Sequence, residues 1–507
     1  MMLTVLNVIA VLVLAVYALH QGILLFIYLL LRRRPPARPS GTVRPLPPVT
    51  VQLPLYNERY VAERIIASAS ALDYPRDLLQ IQVLDDSTDD TSRIAAHAVQ
   101  NIAERGIDIT FIHRDHRDGY KAGALANGLR TASGELVAIF DADFIPPRDF
   151  LQRVVNQAAA FDDPRVGFVQ TRWGHLNRDS SILTGAQAAL LDMSFIIDQS
   201  VRSRLGLKMN FNGSGGVWRR EAIESAGGWQ ADTLTEDLDL SYRAQINGWR
   251  GRYLSDVVCP GELPDNVLAF KVQQARWTRG SVQCVRKLFP RIARSDMPWW
   301  HKLAACVHIS GYFSNLAVLL LALVTPLMLL DPGSLSHRPA WYGAVSTIAT
   351  LPVLSMLAAQ WAQGRTLQFL RVMPAAVILG VGMSLSDSLA VIAGLLRATS
   401  GKFIRTPKSA DLPGAQPVAG KPEPHTKPVY RLQPDWTARA EMLLGIYALA
   451  VCLQAAVQGA WLSVLPALFY AVSFLGVALG QIMPALRLQL RERAQRTRMK
   501  SGLPSLK

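Results

Sequence analysis

A chain of 507 residues is long enough for more than one domain, and with half of them apolar it departs from the composition of an ordinary soluble enzyme. The formal net charge of +15 does not mark a nucleic-acid binder, because the basic residues gather beside apolar segments, in "RRRPPAR" and in the tail "RLQLRERAQRTRMK", as cytoplasmic flanks of membrane proteins do. The four cysteines, Cys259, Cys284, Cys306 and Cys452, stand at spacings of neither a zinc site nor a redox pair, which excludes a disulfide framework and a cysteine-held metal.

In chain order, the first element runs from Val5 to Leu31, 27 residues without an acid, Lys or Arg, and reaches across the roughly 30 Å of hydrocarbon in a bilayer. Its positive charges follow the apolar core rather than precede it, and no small-residue cleavage site is visible, so residues 1–34 are expected to be an anchor and 35–48 a Pro/Arg-rich linker. From residue 49 the pattern changes. "VTVQLPLYNERYVAERII" reads as a strand, a turn and an amphipathic helix. "IQVLDDSTDDT" reads as a second strand ending in Asp85 and Asp86, with Ser87 and Thr88 suited to cap the next helix. "ITFIHRD", the helix "GYKAGALANGLRTA" and the strand "ELVAIFDADF" repeat the alternation. Strands alternating with helices predict an α/β domain over 49–290 with a mostly parallel, Rossmann-like sheet covered on both faces, and ligands bind beyond the carboxyl ends of such strands.

That is where the acids fall. Asp141 and Asp143 close an apolar run with no basic residue beside them, and two positions apart on a strand their side chains project to one side, about 7 Å apart. Like charges that close require a cation, a proton or strong donors between them. Lys121 stands in "GYKAG", where flanking glycines let backbone approach a phosphate. "DTLTEDLDL" sets Thr235, Glu236 and Asp237 at a helix start, and Arg276 beside Trp277 pairs a partner for diphosphate with a flat face for a sugar ring. There is no P-loop and no Gly-x-Gly-x-x-Gly opening a helix, which argues against an ATPase or a dehydrogenase.

Apolar stretches return at 303–330, 341–361, 372–396, 442–459 and 461–483. Six crossings would put the basic loop from Arg397 to Glu441 outside, against the positive-inside rule, and 372–396 carries Asp387, costly if it faced lipid. Laying part of that stretch in the interface leaves five spans and puts the α/β domain and basic tail in the cytoplasm. The expected order is transmembrane and interface helices over 291–396, a cytoplasmic loop over 397–441, a transmembrane hairpin over 442–483 and a basic cytoplasmic tail over 484–507, in a multi-pass protein of the plasma membrane.

The ordered set Asp85-Asp86, Asp141-Ala142-Asp143, Thr235-Glu236-Asp237 and Gln273-Gln274-Ala275-Arg276-Trp277 resembles the processive, inverting family-two glycosyltransferases, the superfamily of cellulose, hyaluronan and chitin synthases. "QVLDDSTDDT", "GYKAGAL", "VAIFDADF", "FNGSGGVWR", "QQARW" and "RTPK" are closest to the cellulose-synthase-like mannan and glucomannan synthases, over roughly 49–290 and more weakly 380–410. The resemblance implies a GT-A fold and transfer of a hexose from GDP-mannose or UDP-glucose to a growing β-linked mannan, glucomannan or glucan, with export of the chain. It implies that Asp85, Asp86, Lys121, Asp141 and Arg276 hold the donor, that Asp143 with Asp141 binds Mg2+ or Mn2+, and that Asp237 is the catalytic base. Phe211, Asn212, Gly213, Ser214, Glu236 and Trp277 are implied for the acceptor, and Arg405, Thr406, Pro407 and Lys408 for a gating loop. Two departures stand out: Ser214-Gly215-Gly216 where the family has Thr-Ala after the first glycine, and Ala275 where the mannan type has His.

Two other readings compete with the polymerase: a single-transfer lipid glycosyltransferase of the ceramide type, which shares Gln-x-x-Arg-Trp, and a non-catalytic membrane export scaffold. The second should show the internal symmetry of transporters or the loss of one acid, and neither is seen.

Overall fold

The computed structural model describes residues 2–33, 45–330, 342–396 and 433–500, so the expected gating segment Arg405 to Lys408 lies outside the described residues. After the apolar helix α1 (Met2–Leu31) come β1 (Val49–Leu55), α2 (Ala62–Ser70), β2 (Leu79–Asp85), α3 (Thr91–Ala103), β3 (Ile109–His113), α4 (Tyr120–Leu129) and β4 (Leu136–Ile139). Then follow β5 (Val166–His175), α5 (Ile182–Asp192), α6 (Gln199–Leu205), β6 (Gly216–Arg219), α7 (Arg220–Ser225), α8 (Glu236–Ile246), β7 (Arg250–Gly261) and the long α9 (Val267–Arg294).

The seven strands form one sheet in the order β3-β2-β1-β4-β6-β5-β7. β1 pairs in parallel with β2 and β4, β2 with β3, and β5 with β7, while β6 runs antiparallel between β4 and β5. The expected GT-A type of sheet, mostly parallel with helices on both faces, is the one found. β1, "VTVQLPL", is buried nearly throughout, as a strand covered on both faces must be. One apolar layer packs α2 and α3 onto Val51, Leu53, Ile81 and Val83; the other packs α4, α7 and α8 onto Val137, Ile139, Phe168 and Trp218. The chain leaves β1 toward β2 on one side and reaches β4 on the other. The segments leaving their carboxyl ends diverge there and open a crevice.

Two local expectations are corrected. Ser87 and Thr88 do not cap α3: the Ser87 hydroxyl accepts from the Asn57 backbone N–H at 2.8 Å, and the Thr88 backbone N–H donates to Asn57 Oδ1 at 2.8 Å. They tie the β2 turn to the β1 turn instead. β4 ends at Ile139, so Asp141 and Asp143 lie in the turn beyond it rather than on alternating strand positions.

The remaining helices are α10 (Trp299–Ile309), α11 (Ser314–Leu329), α12 (Tyr342–Ile348), α13 (Leu351–Ala362), α14 (Thr366–Gly382), α15 (Ser384–Leu396), α16 (Trp436–Val457) and α17 (Trp461–Lys500). Five helical segments among the described residues are long and apolar enough to cross a membrane: Met2–Leu31, Gly311–Leu329, Tyr342–Ala362, Trp436–Val457 and Ser463–Arg487. α14 and α15 form a further apolar pair bent by 43° at the break between them. Asp387, on α15, is buried inside the protein, so the cost of a lipid-facing carboxylate does not arise.

Trp218 is fully buried, 4.7 Å between ring centroids from Phe168 and 5.4 Å from Phe211. Trp218→Ala is expected to remove about 3–5 kcal/mol of domain stability in denaturant unfolding; a loss under about 1 kcal/mol would show this aromatic layer to be dispensable.

Candidate active site

The crevice is lined by the turn after β1, the turn after β4, the start of α4, the loop before β6, the start of α8 and the middle of α9. Lys121 stands at its centre. Its ammonium is 2.6 Å from Asp141 Oδ1 and 3.8 Å from Glu236 Oε1, and it donates to the Gly213 carbonyl at 2.8 Å. One side chain from α4 thereby joins three segments spread over roughly a hundred residues of chain. Desolvation opposes its charge, but the fields of Asp141, Glu236 and Asp237 outweigh that and raise its pKa. The acids after β4 do have a basic neighbour, supplied by tertiary structure.

The acids at the head of α8 meet the same pocket. Desolvation, reinforced by the charge of Glu236, pushes the Asp237 carboxyl up to about 7, and desolvation also raises Glu236. Arg276, recessed on α9, has its pKa lowered by desolvation; Glu236, Asp141, Asp143 and Asp237 act in the opposite direction. The four acids and the arginine therefore share one electrostatic neighbourhood, with Gln273 and Trp277 beside them on the pocket wall.

The loop before β6 is shaped around this cluster. Gly213 has φ +82°, and a Cβ there would lie 2.7 Å from Asp237 Oδ2 and 3.3 Å from Lys121 Nζ, so only glycine fits both the backbone and the space. Asn212 lines the pocket, its side-chain oxygen held by Gln199 Nε2 at 2.8 Å. Ser214 is buried, and its hydroxyl accepts the Asp141 backbone N–H at 3.0 Å, pinning the turn after β4. Phe211 is fully buried in the aromatic layer, so direct contact with an acceptor, expected for Phe211 and Ser214, does not fit their placement.

Asp86 faces the pocket, gripped by Arg114 at 2.7 Å and 2.5 Å in a two-pronged pair. Asp85 does not. It is fully buried, takes the Ser92 hydroxyl at 2.5 Å and lies 2.7 Å from His113 Nδ1, and it fastens α3 and β3 to the strand end rather than reaching a ligand. Residues not anticipated include Arg117, whose guanidinium lies 3.3 Å from the Tyr56 ring centroid on the pocket wall, and a set on α9 behind the acid turn. There Gln283 Oε1 accepts the Leu234 N–H at 2.9 Å, Lys287 lies 2.9 Å from Asp239, and a Cβ on Gly280 would lie 2.5 Å from Thr235. The basic run "HRDHRDGYK" was a visible signal for Arg114 and Arg117; nothing in local sequence pointed to Gly280 or Gln283.

Among the described residues no three His, Cys, Asp or Glu side chains converge as a metal cage. Two pocket carboxylates, Asp141 and Asp143, nevertheless suit a hard divalent ion that takes its other oxygens from water and a substrate diphosphate, the manner in which Mg2+ is commonly held.

Residues 136–362 match the family described as Glycosyl transferase family group 2. A glucomannan 4-β-mannosyltransferase of Arabidopsis thaliana is 42% identical over 262 residues, 51% of this chain and 49% of that protein. One of Oryza sativa subsp. japonica is 39% identical over 289 residues, 54% of this chain and 55% of that protein. The chain thus spans about half the length of the curated relatives it matches. A solved mannosyltransferase of Pyrobaculum calidifontis, in complex with GDP-Man and Mn2+, is 25% identical and aligns with 71% of this chain and 99% of its own at a TM-score of 0.49. With its acids gathered at the strand ends, the α/β portion of the chain is similar in sequence to family-two glycosyltransferases and to the glucomannan 4-β-mannosyltransferases.

Proposed function

We propose that the protein is a membrane-embedded, inverting hexosyltransferase that extends a β-linked polysaccharide from a nucleotide-sugar on the cytoplasmic side of the plasma membrane and passes the chain outward. The observation that carries this reading is the meeting of Lys121, Asp141, Glu236, Asp237 and Arg276 in one crevice at the strand ends. The names of the 42% and 39% identical relatives make a mannosyl donor, GDP-mannose, the first to test, and UDP-glucose the second.

In this reading the donor's diphosphate lies against Arg276 and Lys121, which meet the negative charge that builds as the sugar–phosphate bond breaks. Asp143 and Asp141 would hold Mg2+ or Mn2+, which supplies further charge stabilisation to the departing diphosphate. Asp86, fixed by Arg114, and Tyr56 with Arg117 form the wall on the nucleoside side. Trp277 offers its face to the acceptor's terminal sugar, with Asn212 and Glu236 as polar partners. Asp237 takes the proton of the acceptor hydroxyl as that oxygen attacks the anomeric carbon from the side opposite the leaving group, which turns an α-linked donor into a β-glycoside. A carboxylate titrating near neutrality is a stronger proton acceptor than an ordinary aspartate, and a substantial fraction of it is ionised near pH 7.

Incubating the purified protein with GDP-mannose or UDP-glucose, Mg2+ or Mn2+ and a labelled donor tests the reading by nucleotide release and product size. A polymer is expected, and singly glycosylated lipid as the sole product would replace the polymerase with a lipid glycosyltransferase. Asp237→Asn should lower kcat by about 10²–10⁴; retention of more than about a tenth of the rate rules Asp237 out as the base. Because Asp237 acts ionised, kcat/KM should rise with pH to a plateau and fall about tenfold per unit below about 7. A profile flat across that range contradicts the assignment. Gly213→Ala, which pushes a methyl against Asp237 and Lys121, should cost about 10²-fold in kcat, and a wild-type rate would show that the acid turn can shift freely.

A further inference from the structure

Lys271 lies on α9 a little more than one turn before Arg276, on a face that leaves the catalytic domain and meets the membrane helices. It is buried, 5% exposed, and its ammonium is 2.7 Å from Glu441 Oε1 while donating to Thr437 Oγ1 at 2.6 Å and Gln481 Oε1 at 3.1 Å. An ammonium has three N–H donors, and three acceptors surround it. Glu441 and Thr437 stand in the first turns of α16 and Gln481 stands on α17; the amide of Gln481 donates to the other Glu441 oxygen at 2.8 Å, and Thr437 is anchored in turn by Asp435. The fields of Asp387 on α15 and of Asp435, just before α16, also reach the cluster.

The backbones around this cluster are close. A Cβ on Gly480 of α17 would stand 2.8 Å from Val267, at the start of α9, and a Cβ on Gly394 of α15 would stand 2.9 Å from Val282 and 3.0 Å from the Arg279 carbonyl. α9 is thus held by membrane helices at its start and middle, and between those grips it presents Gln273, Arg276 and Trp277 to the pocket. A buried ion pair is a poor source of net stability, since apolar side chains of similar volume pack there as well or better; what a directed charge pair adds is register.

We infer that Lys271 is a positioning residue: held by Glu441, Thr437 and Gln481, it clamps α9 to the α16–α17 hairpin and so sets where Arg276 and Trp277 stand in the pocket. The clamp rests on the function proposed above for its rate readout, but the position of α9 is measurable without it. A helix free to slide or rotate by about 1 Å at Arg276 is expected to lose up to about 10²-fold in rate. The loss should appear chiefly in kcat, because Arg276 meets additional charge as the diphosphate departs, with a smaller rise in donor KM from its hold on the charge already present.

The test uses the full chain in lipid nanodiscs. The double variant Lys271→Met/Glu441→Gln removes both charges and leaves no lone ion buried. It should keep the wild-type unfolding midpoint, lose about tenfold or more in kcat, and show hydrogen exchange at amides 273–280 about tenfold faster. A folded double variant with wild-type kcat and wild-type exchange overturns the clamp. Should that variant fail to fold, Glu441→Asp decides instead, since it keeps the charge and withdraws the carboxylate by one methylene: lowered kcat at an unchanged midpoint supports the clamp, and an unchanged kcat overturns it. If the wild-type protein transfers no sugar, the proposed function fails, and the exchange rates alone decide the clamp.

Discussion

The ammonium of Lys121 is the contact on which the candidate site depends. Asp141, Glu236 and the Gly213 carbonyl come from three separate stretches of chain, and each by itself would be pushed away from the others by like charge or like dipole. A single cation reverses the sign of those interactions. Without that ammonium the acids would keep only Arg276 as a counter-charge among the described groups that face them. In the same pocket desolvation, with the charge of Glu236 added, raises the Asp237 pKa, and the field of Lys121 offsets only part of that. Structure and proposed chemistry therefore meet in one place: Lys121 and Arg276 assemble the acids in a pocket whose desolvation raises the Asp237 carboxyl.

α9 extends this logic outward. One part of its surface carries Arg276 and Trp277 into the pocket, and another holds the acid turn through Gln283, Lys287 and the close approach at Gly280. Its beginning is gripped by the membrane helices through Lys271. The helix that completes the site is also the one that joins the α/β domain to the apolar helices, so the placement of the two regions and the geometry of the pocket are not independent.

The polar positions in the apolar helices fit the same view. Asp387, Glu441, Gln481 and Thr437 look misplaced when those segments are read as spans, yet all four are buried inside the protein rather than turned toward lipid. Burial among helices gives them protein partners that lipid would not. The break between Gly382 and Ser384, with its 43° bend, further sets α14 and α15 apart from a straight crossing.

The strands, their parallel order and the placing of acids at strand ends were legible from local pattern, because alternation of apolar strands and amphipathic helices admits few packings and those packings put ligands at the carboxyl ends. The order of the acidic motifs was likewise enough to find Asp86, Asp141, Asp143, Asp237, Arg276 and Trp277, which line one pocket. Local pattern could not separate Asp85 from Asp86. Neighbours in sequence share composition, and only the packing of His113 and Ser92 shows that one acid is scaffold while the other faces the crevice. Nor could it show that Lys121 is the missing counter-charge of Asp141, that Phe211 belongs to the core, or that Lys271 meets a glutamate 170 positions further on. The amino-acid sequence by itself determined periodicity, charge order and motif spacing, which are properties of neighbours along the chain. Which cation meets which acid depends on long-range closure of the fold, so that was decided only in three dimensions.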